Sequence, residues 1–368
     1  MYEQDERVVM TLDAGGTNFV FSAMKGCKCI VEPVCLPAVP DDLDRCLSTL
    51  VSGFSKVKKA LVQEPVAISF AFPGPADYEN GVIGNLHNLP AFSGGVALGP
   101  YLEEKFGIPT FINNDGNLFA YGEALGGALT EINGMLERVG NVKRYKNLIG
   151  VTLGTGFGCG IVINRELLTG DNNCGGDLFG FRNCFYQDMI AEESVSIRAV
   201  QRVYKELSGD GRVLTPKEIF DIAEGHADGD SEAAIKSFAS LGTAVADALT
   251  YTLALIDGVV VIGGGLSGAS KYIMPSLMVS FKEQLHSFSG LSFPVVQMET
   301  YFLDSEADLQ SFLKKEYETV TVTGSGRKAT YFPKKKTGLV LSHIGTSQAI
   351  SIGAYAFALH KLDEVSCS

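Results

Sequence analysis

The sequence predicts an α/β protein built as two related domains facing a cleft, and three observations carry that prediction. A strand–glycine turn–strand pattern at residues 9–23, V-M-T-L-D-A-G-G-T-N-F-V-F-S-A, returns at residues 148–163 as L-I-G-V-T-L-G-T-G-F-G-C-G-I-V-I. Continuous apolar runs alternate with helical periodicity, the pattern of covered parallel strands joined by helices. At 368 residues the chain is also longer than one core of ordinary size.

The elements follow in order. Strands are expected at 8–12 and 19–24, with a short extended K-C-I-V-E-P-V segment after the Gly26 turn. Residues 41–62 read as a helix with Asp41 or Asp42 as its N-cap, because D-D-L-D precedes an apolar periodicity. P-V-A-I-S-F-A-F is an apolar run stopped by P-G-P, which suits a buried strand. A helix closing on Gly107, a strand in I-P-T-F-I-N-N-D and a helix from Gly116 come next. After the second hairpin, helical patterns dominate 188–206 and 216–257, and D-G-V-V-V-I-G-G-G-L reads as a buried strand running into three glycines. Residues 305–338 are charged and then alternating. There E-T-V-T-V-T, a G-S-G turn and R-K-A-T-Y-F form an exposed hairpin, and the run Lys334–Lys336 reads as a solvated face. A last helix covers 346–359.

Composition narrows the function. Hydrophobic residues make up 46% and charged residues 20%, as in globular proteins. With 30 basic against 42 acidic residues the net charge is −12, a poor footprint for nucleic acid, though a few backbone N–H groups suffice for a small anion. The acidic start leads at once into a strand, so no signal peptide is expected, and no apolar run reaches the roughly 18 residues of a membrane span. Eight cysteines (Cys27, Cys29, Cys35, Cys46, Cys159, Cys174, Cys184 and Cys367) lack framework spacing, so reduced thiols and a cytoplasmic location are expected.

The turn at residues 13–17 exposes backbone N–H groups beside the Asp13 carboxylate, a setting for an anion and its metal; an ordinary glycine-rich hairpin is the alternative reading. Four features then line up in order: D-A-G-G-T at 13–17, P-G-P-A-D…G-V-I-G-N-L-H-N-L-P across 73–90, N-N-D-G-N at 113–117, and the two later glycine turns. Together they resemble the ROK family of repressors and sugar kinases, within the actin/hexokinase-like superfamily, from about residue 8 to 359 apart from 305–338.

The resemblance implies two ribonuclease H-like α/β domains hinged around a cleft. Residues 1–118 with 346–368 would form the N-terminal domain, and 119–345 the C-terminal one, with its insertion at 305–338. It implies ATP- and Mg2+-dependent phosphorylation of a hexose or hexose derivative. Asp13, Gly15, Gly16 and Thr17 would form the first phosphate turn, with Asp13 facing Mg2+ through water. Gly154, Thr155 and Gly156 would form the second, and Gly263, Gly264 and Gly265 would lie against the adenosine. Asp115 would be the general base, its alternative reading being a helix cap. Asn88 and Asn114 would hold sugar hydroxyls, since an amide donates and accepts at once, whereas Asn85 and Asn117 read as turn residues.

One stretch departs from the family pattern. The family carries G-E-x-G-H and then C-x-C-G-x-x-G-C-x-E, with the Glu and His holding sugar and His with three Cys binding structural zinc. Here Asp177 stands at the Glu position and Gly180 at the His position. Only Cys174 and Cys184 lie nearby, and no His falls between His87 and His226. No structural zinc is therefore expected. Glu192 or Glu193 matches the final Glu, and Glu193 joins Asp177 among the candidate sugar ligands. The altered stretch leaves a catalytically silent sugar sensor as the alternative to a kinase. A repressor stripped of its DNA-binding domain ranks lower, since about seven residues precede the first strand. The expected partners are a sugar and ATP, with no nucleic acid and no membrane. Family habit allows a homo-oligomer whose order the sequence does not fix.

Overall fold

The computed structural model describes residues 2–14, 18–74, 76–84 and 90–367. By its internal contacts the chain divides into two compact units. One is Met1–Thr130, Cys159–Gly176 and Ser342–Ser368; the other is Glu131–Gly158 and Asp177–Leu341.

In the first unit, β1 (Val9–Ala14) pairs antiparallel with β2 (Asn18–Lys25), which carries β3 (Lys28–Cys29) and β4 (Val34–Pro37). Helix α1 (Leu43–Ala60) follows, and Asp42 is its N-cap, its carboxylate accepting the Arg45 N–H at 3.1 Å. Strand β5 (Ala67–Ala71) is buried throughout and lies parallel to β1. A small sheet of β6 (Ala76–Asp77), β7 (Val82–Ile83) and β8 (Val96–Ala97) precedes α2 (Leu98–Phe106). That helix ends on Gly107 at φ 67°, where a left-handed residue is needed and glycine alone is unstrained. Strand β9 (Thr110–Asn113) then pairs parallel with β5. Phe21, Phe54, Phe70, Phe72 and Phe92 fill this core, and Phe21 meets Phe54 edge to face at 5.0 Å.

Helix α3 (Asp115–Gly126) crosses the final helix, α10 (Thr346–Cys367), at backbone distance. A Cβ on Gly122 would lie 1.8 Å from the Ala349 carbonyl oxygen, and one on Gly353 would lie 1.9 Å from that of Leu118. This contact keeps residues 119–130 with the first unit, beyond the domain limit expected at 118. After α4 (Ala128–Arg138) come β10 (Leu148–Leu153), β11 (Phe157–Ile163) and β12 (Glu166–Leu167), the last two an antiparallel hairpin. The part of β11 from Cys159 onward, with β12, also falls in the first unit, which the expected division at 119–345 did not separate.

In the second unit, helix α5 (Ile197–Ser208) begins later than the helical reading of 188–206 proposed. Residues 183–194 are wired instead as a loop around one buried side chain, and Ser196 is extended at φ −159°. The stretch 216–257 is two helices, not one. Helix α6 (Pro216–Ala223) starts with a Thr215–Glu218 capping box, and α7 (Ser231–Ile256) with Asp230 as N-cap. By length and composition α7 could cross a membrane, which the sequence reading did not allow. Its Phe238, Leu241, Val245 and Leu249 are buried within this unit, so its apolar character serves the core.

Strand β13 (Val259–Gly263) and α8 (Ser270–Ser280) follow, then an exposed hairpin of β14 (Gln284–His286) and β15 (Ser292–Pro294), then β16 (Glu299–Phe302) and α9 (Glu306–Leu313). The exposed hairpin expected near 318–331 is formed by β17 (Glu318–Thr321) and β18 (Lys328–Tyr331). The Lys334–Lys336 face is not wholly solvated, because Lys336 opens the core strand β19 (Lys336–Leu341) and its side chain is only 10% exposed. Strands β10, β13, β19 and β16 run parallel side by side in that order.

Candidate active site

The parallel register of β1, β5 and β9 decides what gathers at one edge of the first sheet. Leu12 pairs with Phe70, Phe70 with Ile112, and Ala71 with Asn113. Asp13 at the end of β1 therefore shares an edge with the segment 113–117 that leaves β9. Open parallel sheets place ligands at this C-terminal edge. Of the expected first turn only Asp13 is described; Gly15, Gly16 and Thr17 lie outside the described residues, as do Asn85 and Asn88.

Segment 113–117 is tightly wired. Asn114, not Asp115, is the N-cap of α3, its amide oxygen accepting the Asn117 N–H at 2.6 Å. That leaves the Asn114 amide NH2 and the Asp115 carboxylate at the mouth of the helix. Asn113, 1% exposed, accepts the Asn114 N–H at 2.8 Å and an Asn117 amide N–H at 2.9 Å. Its own buried Nδ2 has no partner, and neither has the Asn117 Oδ1. The sequence reading passed over Asn113 and treated Asn117 as a turn former. Their bond crosses from the end of β9 into the first turn of α3, so helix periodicity alone does not reveal it.

Asp115 keeps surface in contact with solvent, yet protein crowds it over the longer range on which solvation acts. That desolvation pushes its carboxyl above the usual carboxylate range, and the Gly116 N–H, donating at 2.9 Å, only partly opposes it. A carboxylate that is both accessible and raised in basicity is suited to accept a proton.

In the second unit Thr152 of β10 pairs with Gly263 of β13, so the turn at 154–156 and the glycines 263–265 leave the same edge of neighbouring parallel strands. Gly264 sits at φ +86°, and a Cβ there would lie 2.3 Å from the Leu153 carbonyl oxygen, so only glycine lets the second turn close over the first. A Cβ on Gly154 would meet nothing within 4 Å, which leaves its backbone open to a ligand. Two adjoining glycine turns of this kind fit the phosphates and ribose of a nucleotide.

Glu192 and Glu193 sit in a single 3-10 turn, residues Ala191–Ser194, and one arginine organises both. Arg198 reaches Glu192 at 2.8 Å, Glu193 at 2.7 Å and the Thr155 carbonyl at 3.3 Å. Glu192 also accepts the Phe157 N–H at 3.0 Å. The Arg198 guanidinium holds the Glu193 carboxyl below the usual carboxylate range. Asp177 caps the turn Leu178–Gly180, and it and Gly180 are both exposed.

Among the described residues no group of three or more His, Cys, Asp and Glu is arranged to hold a metal ion. The loop at residues 183–194 is tied by Asn183, which is 1% exposed. Its amide donates to the Ile190 carbonyl at 3.0 Å and the Ser194 hydroxyl at 2.9 Å, and its oxygen accepts the Phe185 and Tyr186 N–H groups at 2.9 and 3.2 Å. Burial pushes the adjacent Cys184 thiol up to about 11. Asn183 is the residue that the sequence reading missed.

Comparison with known proteins places this architecture. A model of the ROK family matches residues 9–300. A glucokinase of Thermotoga maritima is 27% identical over 258 residues, covering 60% of this chain and 74% of that protein. An N-acetyl-D-glucosamine kinase of Photobacterium profundum is 29% identical over 277 residues, covering 69% and 83%. The crystal structure of a glucokinase from Parabacteroides distasonis is 56% identical, covers 98% of this chain and 99% of that one, and superposes with a TM-score of 0.87. A ROK family glucokinase from Streptomyces griseus, solved with glucose and AMPPNP, shares the fold at 17% identity and a TM-score of 0.60 over 95% of this chain and 98% of its own. The chain belongs to the ROK family.

Proposed function

We propose that this protein is an ATP- and Mg2+-dependent kinase of a hexose or hexose derivative, with Asp115 as general base. The observation that carries the reading is Asp115 itself. Its carboxyl is accessible, raised by desolvation and fixed at the C-terminal edge of a parallel sheet by the Asn114 cap. The relatives named glucokinase and N-acetyl-D-glucosamine kinase give the substrate class.

ATP supplies the phosphoryl group and Mg2+ neutralises its charge. The residues divide the rest of the work. Asp115 accepts the proton from the attacking sugar hydroxyl, while Asn114 offers its amide NH2 to a neighbouring hydroxyl and the unpartnered Asn113 Nδ2 marks a further polar contact. Gly154, Thr155 and Gly156 face the phosphates, and Gly263, Gly264 and Gly265 the adenosine. Asp13 would hold Mg2+ through water when the metal is bound. Asp177 remains a sugar ligand in this reading, with Asn88, Gly15, Gly16 and Thr17 assigned from sequence. Glu193 is the weaker member, since Arg198 already holds its carboxylate. Phosphoryl transfer has a loose transition state, so positioning and charge neutralisation contribute most. A cytoplasmic location accompanies this reading.

The test is ADP release with ATP and Mg2+ across hexoses, hexosamines and N-acetylhexosamines. Turnover on one sugar that Asp115→Asn loses is the expected result. Sugar binding without turnover in the wild-type protein would overturn the kinase and leave a sensor.

A further inference from the structure

The net charge is −12, yet five lysines of the second unit line one cavity of about 260 Å³: Lys143, Lys314, Lys334, Lys335 and Lys336. Two carboxylates share the lining, Asp257 and Glu316. Glu316 is already engaged, by Lys336 at 2.8 Å and Lys334 at 3.5 Å, which holds its carboxyl below the usual range. Lys314 and Lys335 make no side-chain ion pair among the described residues, and the Lys143 ammonium sits over the Tyr145 ring at 5.2 Å. Three more ammonium groups than carboxylates face the space. Met298, Phe312, Phe332 and the Tyr145 ring supply apolar wall, and Asn141 completes the lining.

Topology separates this cavity from the glycine turns. Lys336 opens β19, Met298 immediately precedes β16, and Tyr145 and Asp257 lie just before β10 and β13. Every one of these is at the N-terminal edge of the parallel strands, whereas residues 154–156 and 263–265 leave the opposite edge. A five-residue strand such as β13 puts about 15 Å between the two edges.

We infer that the lysine-lined cavity at the N-terminal edge of β10, β13, β19 and β16 binds a small phosphate ester, at a site separate from the nucleotide turns. Ammonium groups on flexible stems take phosphate as point charges. The volume is near the lower end of small-molecule pockets, which excludes a large polyanion. The aromatic wall favours an ester with a carbon body over bare phosphate. Lys314 and Lys335 are the anion contacts, because neither has a carboxylate to leave.

The test titrates glucose 6-phosphate and inorganic phosphate into the protein by calorimetry at low salt, in wild type and in the double variant K314E/K335E. Both lysines are exposed, so the variant should melt with the wild type. We expect ester binding tighter than phosphate, with the component at this cavity weakened roughly tenfold or more in the variant. Absence of binding, binding untouched by the double variant, or phosphate binding as tightly as the ester would each overturn the proposal. The titration needs no turnover. Because Lys314 and Lys335 lie at the edge opposite the glycine turns, only binding lost in the double variant counts for this site, and any product binding at Asp115 stays apart from it.

Discussion

Gly116 and Gly160 stand against each other with no room for a side chain on either. A Cβ on Gly160 would lie 2.4 Å from the Gly116 carbonyl oxygen, and one on Gly116 would lie 2.6 Å from that of Cys159. The first turn of α3 is thereby seated on β11, and Asp115 is the residue just before the seat. Gly160→Ala must push the helix start away, since both contacting atoms are backbone. Overpacking of this kind costs about 1–3 kcal/mol. Displacing the carboxylate by even about 1 Å costs up to roughly a hundredfold in turnover. Thermal melts and kcat would show both losses. Gly211→Ala, where a Cβ meets nothing within 4 Å, should show neither.

Asp115→Asn separates the base from the scaffold. The Asn oxygen still accepts the Gly116 N–H, so the helix start survives. Turnover should fall by about 10²–10⁴, with sugar affinity by calorimetry within a few-fold of wild type. Unchanged turnover would remove Asp115 from the role.

The raised carboxyl of Asp115 also fixes two pH dependences. Turnover needs the carboxylate, so its acid limb should lie at higher pH than an ordinary aspartate would give. Stability has the opposite sign. The folded state holds the Asp115 proton more tightly than the unfolded chain does, so its contribution is fully present below the unfolded value and is lost as pH rises through the folded one. Where Asp115 is ionised, the wild type therefore carries a desolvated charge that Asp115→Asn lacks. The variant should melt higher there, and its advantage should shrink as the pH falls. An advantage that grows toward acid would contradict the desolvation.

Local signals account for what the sequence revealed. Asp42 and Gly107 end their helices through bonds that span three or four residues, and β17–β18 declares itself by alternation around a glycine turn. The motif N-N-D-G-N marked the segment that leaves β9 but did not assign its members. Asn114 and Asp115 both suit a cap, and the choice between them depends on how β9 delivers the chain. Contacts between Gly116 and Gly160, or Gly122 and Ala349, join residues far apart in sequence, so no window contains them. Arg198 was invisible for the same reason: its partners run from Thr155 to Glu193.

Asn183 carries the loop at residues 183–194. Asn183→Ala would leave the buried Ser194 hydroxyl and the Phe185 and Tyr186 N–H groups without this partner, at about 1–3 kcal/mol for each group truly stranded from water. The variant should lose several degrees in melting temperature. The wild-type melt should not move on adding a chelator; a drop of that size with chelator would restore a structural metal to this loop.

Glu192 is one of the two residues matched to the final Glu of the family pattern, and its bonds point to the nucleotide turn. It accepts the Phe157 N–H at 3.0 Å and is bridged by Arg198 to the Thr155 carbonyl, so it braces both sides of the turn at 154–156. The ion pairs are half exposed and contribute little to stability by themselves. Their effect should appear in the geometry of the turn. Glu192→Ala removes the acceptor and should raise KM for ATP about fivefold, the equivalent of one ordinary hydrogen bond. Glu192→Gln keeps an oxygen on Phe157 and should restore most of that loss, and Arg198→Ala should resemble Glu192→Ala. A rise confined to KM for the sugar, unrescued by Gln, would instead place Glu192 with the sugar.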